Sequence, residues 1–155
     1  MLRILGFEVK TMLDENADLS YLKTEYDNDL QLIVNSARYS NQTVTEYKWP
    51  MVRRWIDEDH SRLAAYNQGE WVMLGISVVA NLVIDTKLGD TYPFSIYSGG
   101  LWGIESDSDN DYLISVAKDQ ANDLIDVLRT LRFKLKDIKQ AIEEMPLIGI
   151  GDYEL

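Results

Sequence analysis

From Val72 to Ile84 every second residue is apolar: Val72, Leu74, Ile76, Val78, Ala80, Leu82 and Ile84. A period of two belongs to the β-strand, whose successive side chains point to opposite faces. The intervening positions (Trp71, Met73, Gly75, Ser77, Val79, Asn81, Val83) are mixed, so helices are expected on the uniformly apolar face alone. The stretch "TKLGD" at 86–90 then turns the chain, and Tyr92, Phe94 and Ile96 begin a partner strand, which predicts a hairpin. Pro93 has no N–H to give to a ladder, so the second strand belongs at an edge or at a bulge. Near the start, Leu5, Phe7 and Val9 alternate with Gly6, Glu8 and Lys10 and predict another half-buried strand. A short strand is also expected within 30–40, "LQLIVNSARYS".

Helical spacing appears elsewhere. Val52, Trp55, Ile56, Leu63, Tyr66 and Asn67 recur at steps of three and four after Pro50, whose missing N–H costs nothing in a first turn. Gly69 is a natural C-terminal stop. From Ser108 to Leu131, residues Leu113, Val116, Ala117, Gln120, Leu124, Val127, Leu128 and Leu131 share one face of a predicted helix, and a short last helix around 136–145 ends before Pro146. The expectation is one α+β domain over 1–155: a small antiparallel sheet with two main amphipathic helices packed on one face, plus a short C-terminal helix.

Composition narrows the chemistry. The 155 residues contain no cysteine, which removes disulfides, thiolate metal sites and cysteine nucleophiles. The apolar run of 71–84 includes Gly75, Ser77 and Asn81 and is too short to span a bilayer, and "MLRILGFEVK" lacks a signal-peptide core, so a cytoplasmic protein is expected. Net charge is −11, and it is localised. Residues 14–29 hold six acids and one lysine, residues 105–126 hold seven acids and one lysine, and the remainder is balanced. Such a chain is not expected to bind a nucleic-acid backbone or an anionic membrane directly, because both require a positive face. A basic protein surface is the expected partner.

The second acidic segment begins at "SGGLWGIESDSDNDYL", residues 98–113. Asp107, Asp109 and Asp111 start like an EF-hand calcium loop, but Tyr112 and Lys118 stand where that loop needs glycine and glutamate. Helix capping explains the acids better: Ser106, Asp107 or Ser108 can accept N–H bonds from a helix start, and acids in the first turn suit the helix dipole. Gly99, Gly100 and Gly103 allow tight turns. Trp102 among them is a plug over the sheet or an exposed anchor for a partner. Further along, Asp111, Asp119, Asp123 and Asp126 lie away from the apolar stripe, either as an ordinary solvated face or as a row of carboxylates for a cationic groove.

No catalytic residue, metal ligand or cofactor is assigned. His60 and Asp59 are neighbours on one helix and point apart, and no phosphate loop, nucleophile elbow or zinc-protease motif occurs. Trp49, Trp55 and Trp71 are expected in packing. The basic residues Arg129, Arg132, Lys134, Lys136 and Lys139 are balanced by nearby acids.

The tract Gly100-Leu101-Trp102-Gly103-Ile104-Glu105-Ser106-Asp107-Ser108, with Tyr112-Leu113 after it, resembles a pattern in short accessory proteins of phages, prophages and plasmids. The segments "DLSYL" at 18–22 and "RLAAYNQGEW" at 62–71 are similar to parts of the same group in the same order. The resemblance implies a mobile-element protein and carries over no catalytic residue.

Together these readings favour an interaction protein that inhibits a host defence nuclease or CRISPR effector by imitating nucleic acid. Its partner-binding residues would be Trp102, Glu105, Asp107, Asp109, Asp111, Asp119, Asp123 and Asp126. Two alternatives have other requirements. A small metal-dependent hydrolase would need the 105–111 acids to converge, and a self-associating structural or regulatory phage protein would use the edge strand at 91–97.

Overall fold

The computed structural model describes residues 1–27, 32–34 and 49–153. The chain forms two compact units, Met1–Glu15 with Met73–Leu155, and Asn16–Val72. Its class is α+β, with a four-stranded antiparallel sheet, amphipathic helices and a short C-terminal helix.

In the first unit the strands are β1 (Leu2–Leu13), β4 (Met73–Asp85), β5 (Thr91–Tyr97) and β6 (Leu101–Glu105). β4 is central. β1 pairs along its whole length on one side, and β5 and β6 share the other side in tandem. Pro93 therefore lies on an edge strand, opposite Val83, where its absent N–H is no loss. The turn after β4 is closed by Thr86, which donates its N–H to the Asp90 carbonyl and accepts the Asp90 N–H through Oγ1.

Three helices complete this unit. α2 (Asn110–Asp123) packs against β4, α4 (Leu135–Glu143) against β1, and α3 (Ile125–Thr130) joins them. The core holds Phe7, Ile76, Val78, Ala80 and Leu82 from the sheet and Val116, Ala117, Leu128 and Ile138 from the helices. Burial in β1 alternates, with Ile4, Phe7 and Val9 inward and Arg3, Glu8 and Lys10 outward.

Four sequence expectations are corrected. Leu5 does not share a face with Phe7 and Val9: Ile4 pairs with Leu82 and Gly6 with Asn81, so Leu5 is the extra residue of a β-bulge and is 59% exposed. β4 is buried on both faces from Met73 to Ala80, not on one. The glycine-rich tract after β5 is a strand, β6, and not only a turn. The helix expected over 108–131 is two helices with a break at Leu124, whose N–H reaches the Ala121 carbonyl, three residues back. Asn122 and Asp123 beside the break are weak helix formers, and Val127 beyond it is 44% exposed instead of sharing the buried stripe.

The α3–α4 junction keeps the helix-ending hydrogen bonds usually built on glycine. Arg132 donates its N–H to the Arg129 carbonyl and Phe133 to the Leu128 carbonyl, with Arg132 itself at φ 70°.

The second unit contains a 3-10 turn at Ser20–Leu22, the two-stranded pair β2 (Glu25–Asp27) and β3 (Leu32–Val34), and α1 (Trp49–Asn67). The strand expected within 30–40 is thus present as β3; residues 30, 31 and 35–40 lie outside the described residues. α1 ends as expected at Gly69, φ 78°, with Gly69 N–H on the Tyr66 carbonyl and Glu70 N–H on the Ala65 carbonyl. Trp71 is buried, its ring edge-on to Tyr66 and under the Arg62 guanidinium, its Nε1 donating to the Arg62 carbonyl. Trp55 is half-buried, and the Trp49 side chain lies outside the described residues.

Candidate interaction site

The segment from Ser98 to Asp126 is held in place by backbone hydrogen bonds to polar side chains. Where β5 gives way to β6, the Val78 N–H donates to Ser98 Oγ at 2.8 Å and the Ser98 N–H to the Val78 carbonyl at 2.9 Å. Gly100, at φ 82°, donates its N–H to Oε1 of Gln120 at 2.8 Å. Gln120 is thus a buried polar residue on the inner face of α2, and its amide fastens the helix to the glycine turn. Helical spacing placed Gln120 on that face but gave no sign of its partner.

β6 also carries a bulge. Leu74 pairs with Ile104 and Ile76 with Leu101, so Trp102 and Gly103 both stand opposite Gly75. The Trp102 ring lies on Gly75 so closely that a Cβ there would come within 2.7 Å of the ring carbon Cδ2. Trp102 is therefore partly packed and partly open: one face rests on the sheet while 49% of the residue remains exposed. Gly103, at φ 74°, donates its N–H to Oδ2 of Asp14 at 3.0 Å, and the Asp14 N–H donates to the Met73 carbonyl at 2.8 Å. Asp14, the first acid of the other acidic segment, is thereby placed beside Trp102 and Gly103. No spacing in the sequence announces that contact, which spans 89 residues.

The acids divide by role. Asp109 caps α2: its Oδ1 accepts the Asp111 N–H at 2.7 Å, and its carbonyl accepts the Leu113 N–H. Capping was expected, but from Ser106, Asp107 or Ser108; the Ser108 N–H instead closes a turn on the Glu105 carbonyl. Glu105, opposite Met73 at the end of β6, is half-buried, and Asp107 is exposed. Asp111, Asp119 and Asp123 on α2 and Asp126 in the first turn of α3 are all exposed, and none forms an ion pair among the described residues. Neighbours four apart on α2 are separated by about 6 Å along the axis. Tyr112, 48% exposed, lies among them, and the Ser115 hydroxyl turns back to its carbonyl.

Among the described residues, no group of three or more histidine or carboxylate side chains is arranged to hold a metal ion, and no helix is long and apolar enough to cross a membrane. The His60 ring is exposed, with Nε2 at 2.8 Å from the Thr24 carbonyl, while Asp59 is buried. The pair therefore sits as two separate groups, consistent with adjacent helix positions.

Comparison with protein-family models, with curated proteins and with solved structures gave no match.

Proposed function

We propose that the chain is an accessory protein of a phage or plasmid, working in the host cytoplasm by binding, and that its α2–α3 carboxylates occupy the nucleic-acid-binding surface of a host defence protein. The observation that carries this reading is the exposed set Asp111, Asp119, Asp123 and Asp126, each without an ion-pair partner among the described residues. Carboxylates left uncompensated along α2 and α3 offer a cationic groove a run of negative charge, in which Asp119 and Asp123 stand about 6 Å apart along the α2 axis, near the spacing of phosphates along a strand. Trp102 supplies a rigid aromatic face at the head of the same segment. The resemblance of residues 100–108 to mobile-element proteins points in the same direction.

Competition tests the proposal. The protein is titrated against duplex DNA bound to a panel of purified defence nucleases and CRISPR effectors, at 50 to 300 mM salt. A phosphate mimic displaces DNA from its target and weakens steeply as salt rises. Four lost rim charges, at about 0.2–1 kcal/mol each, should cost the variant Asp111→Asn/Asp119→Asn/Asp123→Asn/Asp126→Asn about fourfold or more. Binding indifferent both to salt and to those four changes would end the mimic reading.

A further inference from the structure

Away from the segment above, the first unit carries an open groove of about 900 Å3 between the start of β1, the β4–β5 ladder and one side of α4. None of the eight acids and aromatics invoked above lines it, so its role stands or falls separately.

Its floor is apolar. Ile4, Phe94 and Phe133 are half-buried in it, and the β1 bulge adds Leu5, 59% exposed. A regular strand would have no Leu5 between Ile4 and Gly6, so the bulge is what brings this side chain to the groove.

Its rim is acidic by the way α4 sorts its charges. Asp137, Gln140, Ala141 and Glu144 line the groove at helical steps of three, one and three, whereas Lys136 and Lys139 do not line it. The other charges on the wall already have partners. Arg3 is bonded to Asp85, and Glu8 accepts the Asn81 amide at 2.9 Å with Lys10 at 3.8 Å. Asp137 and Glu144 remain, the latter accepting only a neutral amide hydrogen bond from Gln140. Seven residues of helix separate them by about 10 Å, the span of three residues of extended chain.

We propose that this groove is a docking site for an extended cationic segment of a partner protein. One or two apolar side chains of that segment lie on Leu5, Phe94 and Phe133, and lysines or arginines three residues apart meet Asp137 and Glu144. Charge complementarity selects this occupant. A second copy docking through the same groove would bring Asp137 and Glu144 against their own counterparts, acid against acid, and an anionic ligand or membrane would meet the same repulsion.

The probe is a fluorescent hexapeptide, GKFLKG, with GEFLEG and GKSSKG as controls, titrated into the full chain by fluorescence polarisation and mapped by amide chemical shifts. GKFLKG is expected to bind and to shift residues 2–8 and 137–144, while each control binds at least fivefold more weakly. Two surface variants that leave the core untouched, Leu5→Ser and Asp137→Asn/Glu144→Asn, should each weaken GKFLKG about fivefold. The fourfold α2–α3 asparagine variant should bind it as the parent does. No binding, equal binding of GEFLEG, insensitivity to both groove variants, or shifts confined to α2 would each overturn the proposal. A concentration-dependent dimer abolished by Leu5→Ser would also overturn it, assigning the groove to a second copy.

Discussion

Two β-bulges face the same central strand from opposite edges, and they differ in what they do with one large apolar residue. In β1 the extra residue is Leu5, and the bulge turns its side chain out into the groove beside α4. In β6 Trp102 and Gly103 together oppose Gly75, and the bulge lays the indole down on the strand. The first leaves a hydrophobic side chain mostly in water; the second half-buries one against a position that must have no side chain. A bulge slips the register and redirects the side chain, and the residue facing it decides whether that side chain packs or stays available.

The largest expected effect comes from the packed bulge. Gly75→Ala places a methyl group inside the Trp102 ring's contact distance and should destabilise the first unit by about 1–3 kcal/mol, read as a lower urea midpoint. Combining it with Trp102→Ala removes the clash, so the pair should be non-additive by more than about 0.5 kcal/mol in a double-mutant cycle. Strict additivity would mean that the ring does not rest on this strand.

The open bulge should respond weakly. Deleting Leu5 leaves Ile4 opposite Leu82 and Gly6 opposite Asn81 as consecutive rungs of a regular ladder. Stability should then change by no more than about 0.5 kcal/mol, while affinity for the cationic hexapeptide falls. A large loss of stability would show that the bulge is a structural requirement of β1 and not a means of presenting Leu5.

Smallest is the effect at the far end of the β1–β4 ladder. The hydrogen bond from Arg3 holds the Asp85 carboxyl below its usual 3.8. A carboxyl depressed in the folded state adds stability that is fully present above the unfolded value and lost as pH falls through the folded one. The stability difference between the parent and Asp85→Asn should therefore stay constant from pH 7 to 5 and shrink below about pH 4. Salt should reduce it further, because the pair is exposed. A difference that grows on acidification would reverse the sign of the coupling.

Much of the fold was legible in local pattern. The alternation through Val72–Ile84, the turn before Tyr92, the edge position of Pro93 and the stop at Gly69 follow from side-chain period and backbone chemistry, which act within a few residues. The outward setting of Asp111, Asp119, Asp123 and Asp126 was legible for the same reason, since 3.6 residues per turn separates them from Leu113 and Val116. β6 was not. Its glycines obscured a five-residue strand, although an isolated Gly103 within an apolar tract is the usual trace of a bulge.

Periodicity and charge distribution alone specified a β-centred α+β chain with an acidic helix and no cysteine chemistry. Tertiary structure alone decided that Asp14 would meet Gly103, that Gln120 would hold Gly100, that Trp102 would lie on Gly75, and that Leu5 would stand in a groove rimmed by α4. Each of these joins residues distant in sequence or slips a register by one residue. Local pattern does not carry that information, because a strand's alternation is the same whichever partner, and whichever register, it finally pairs with.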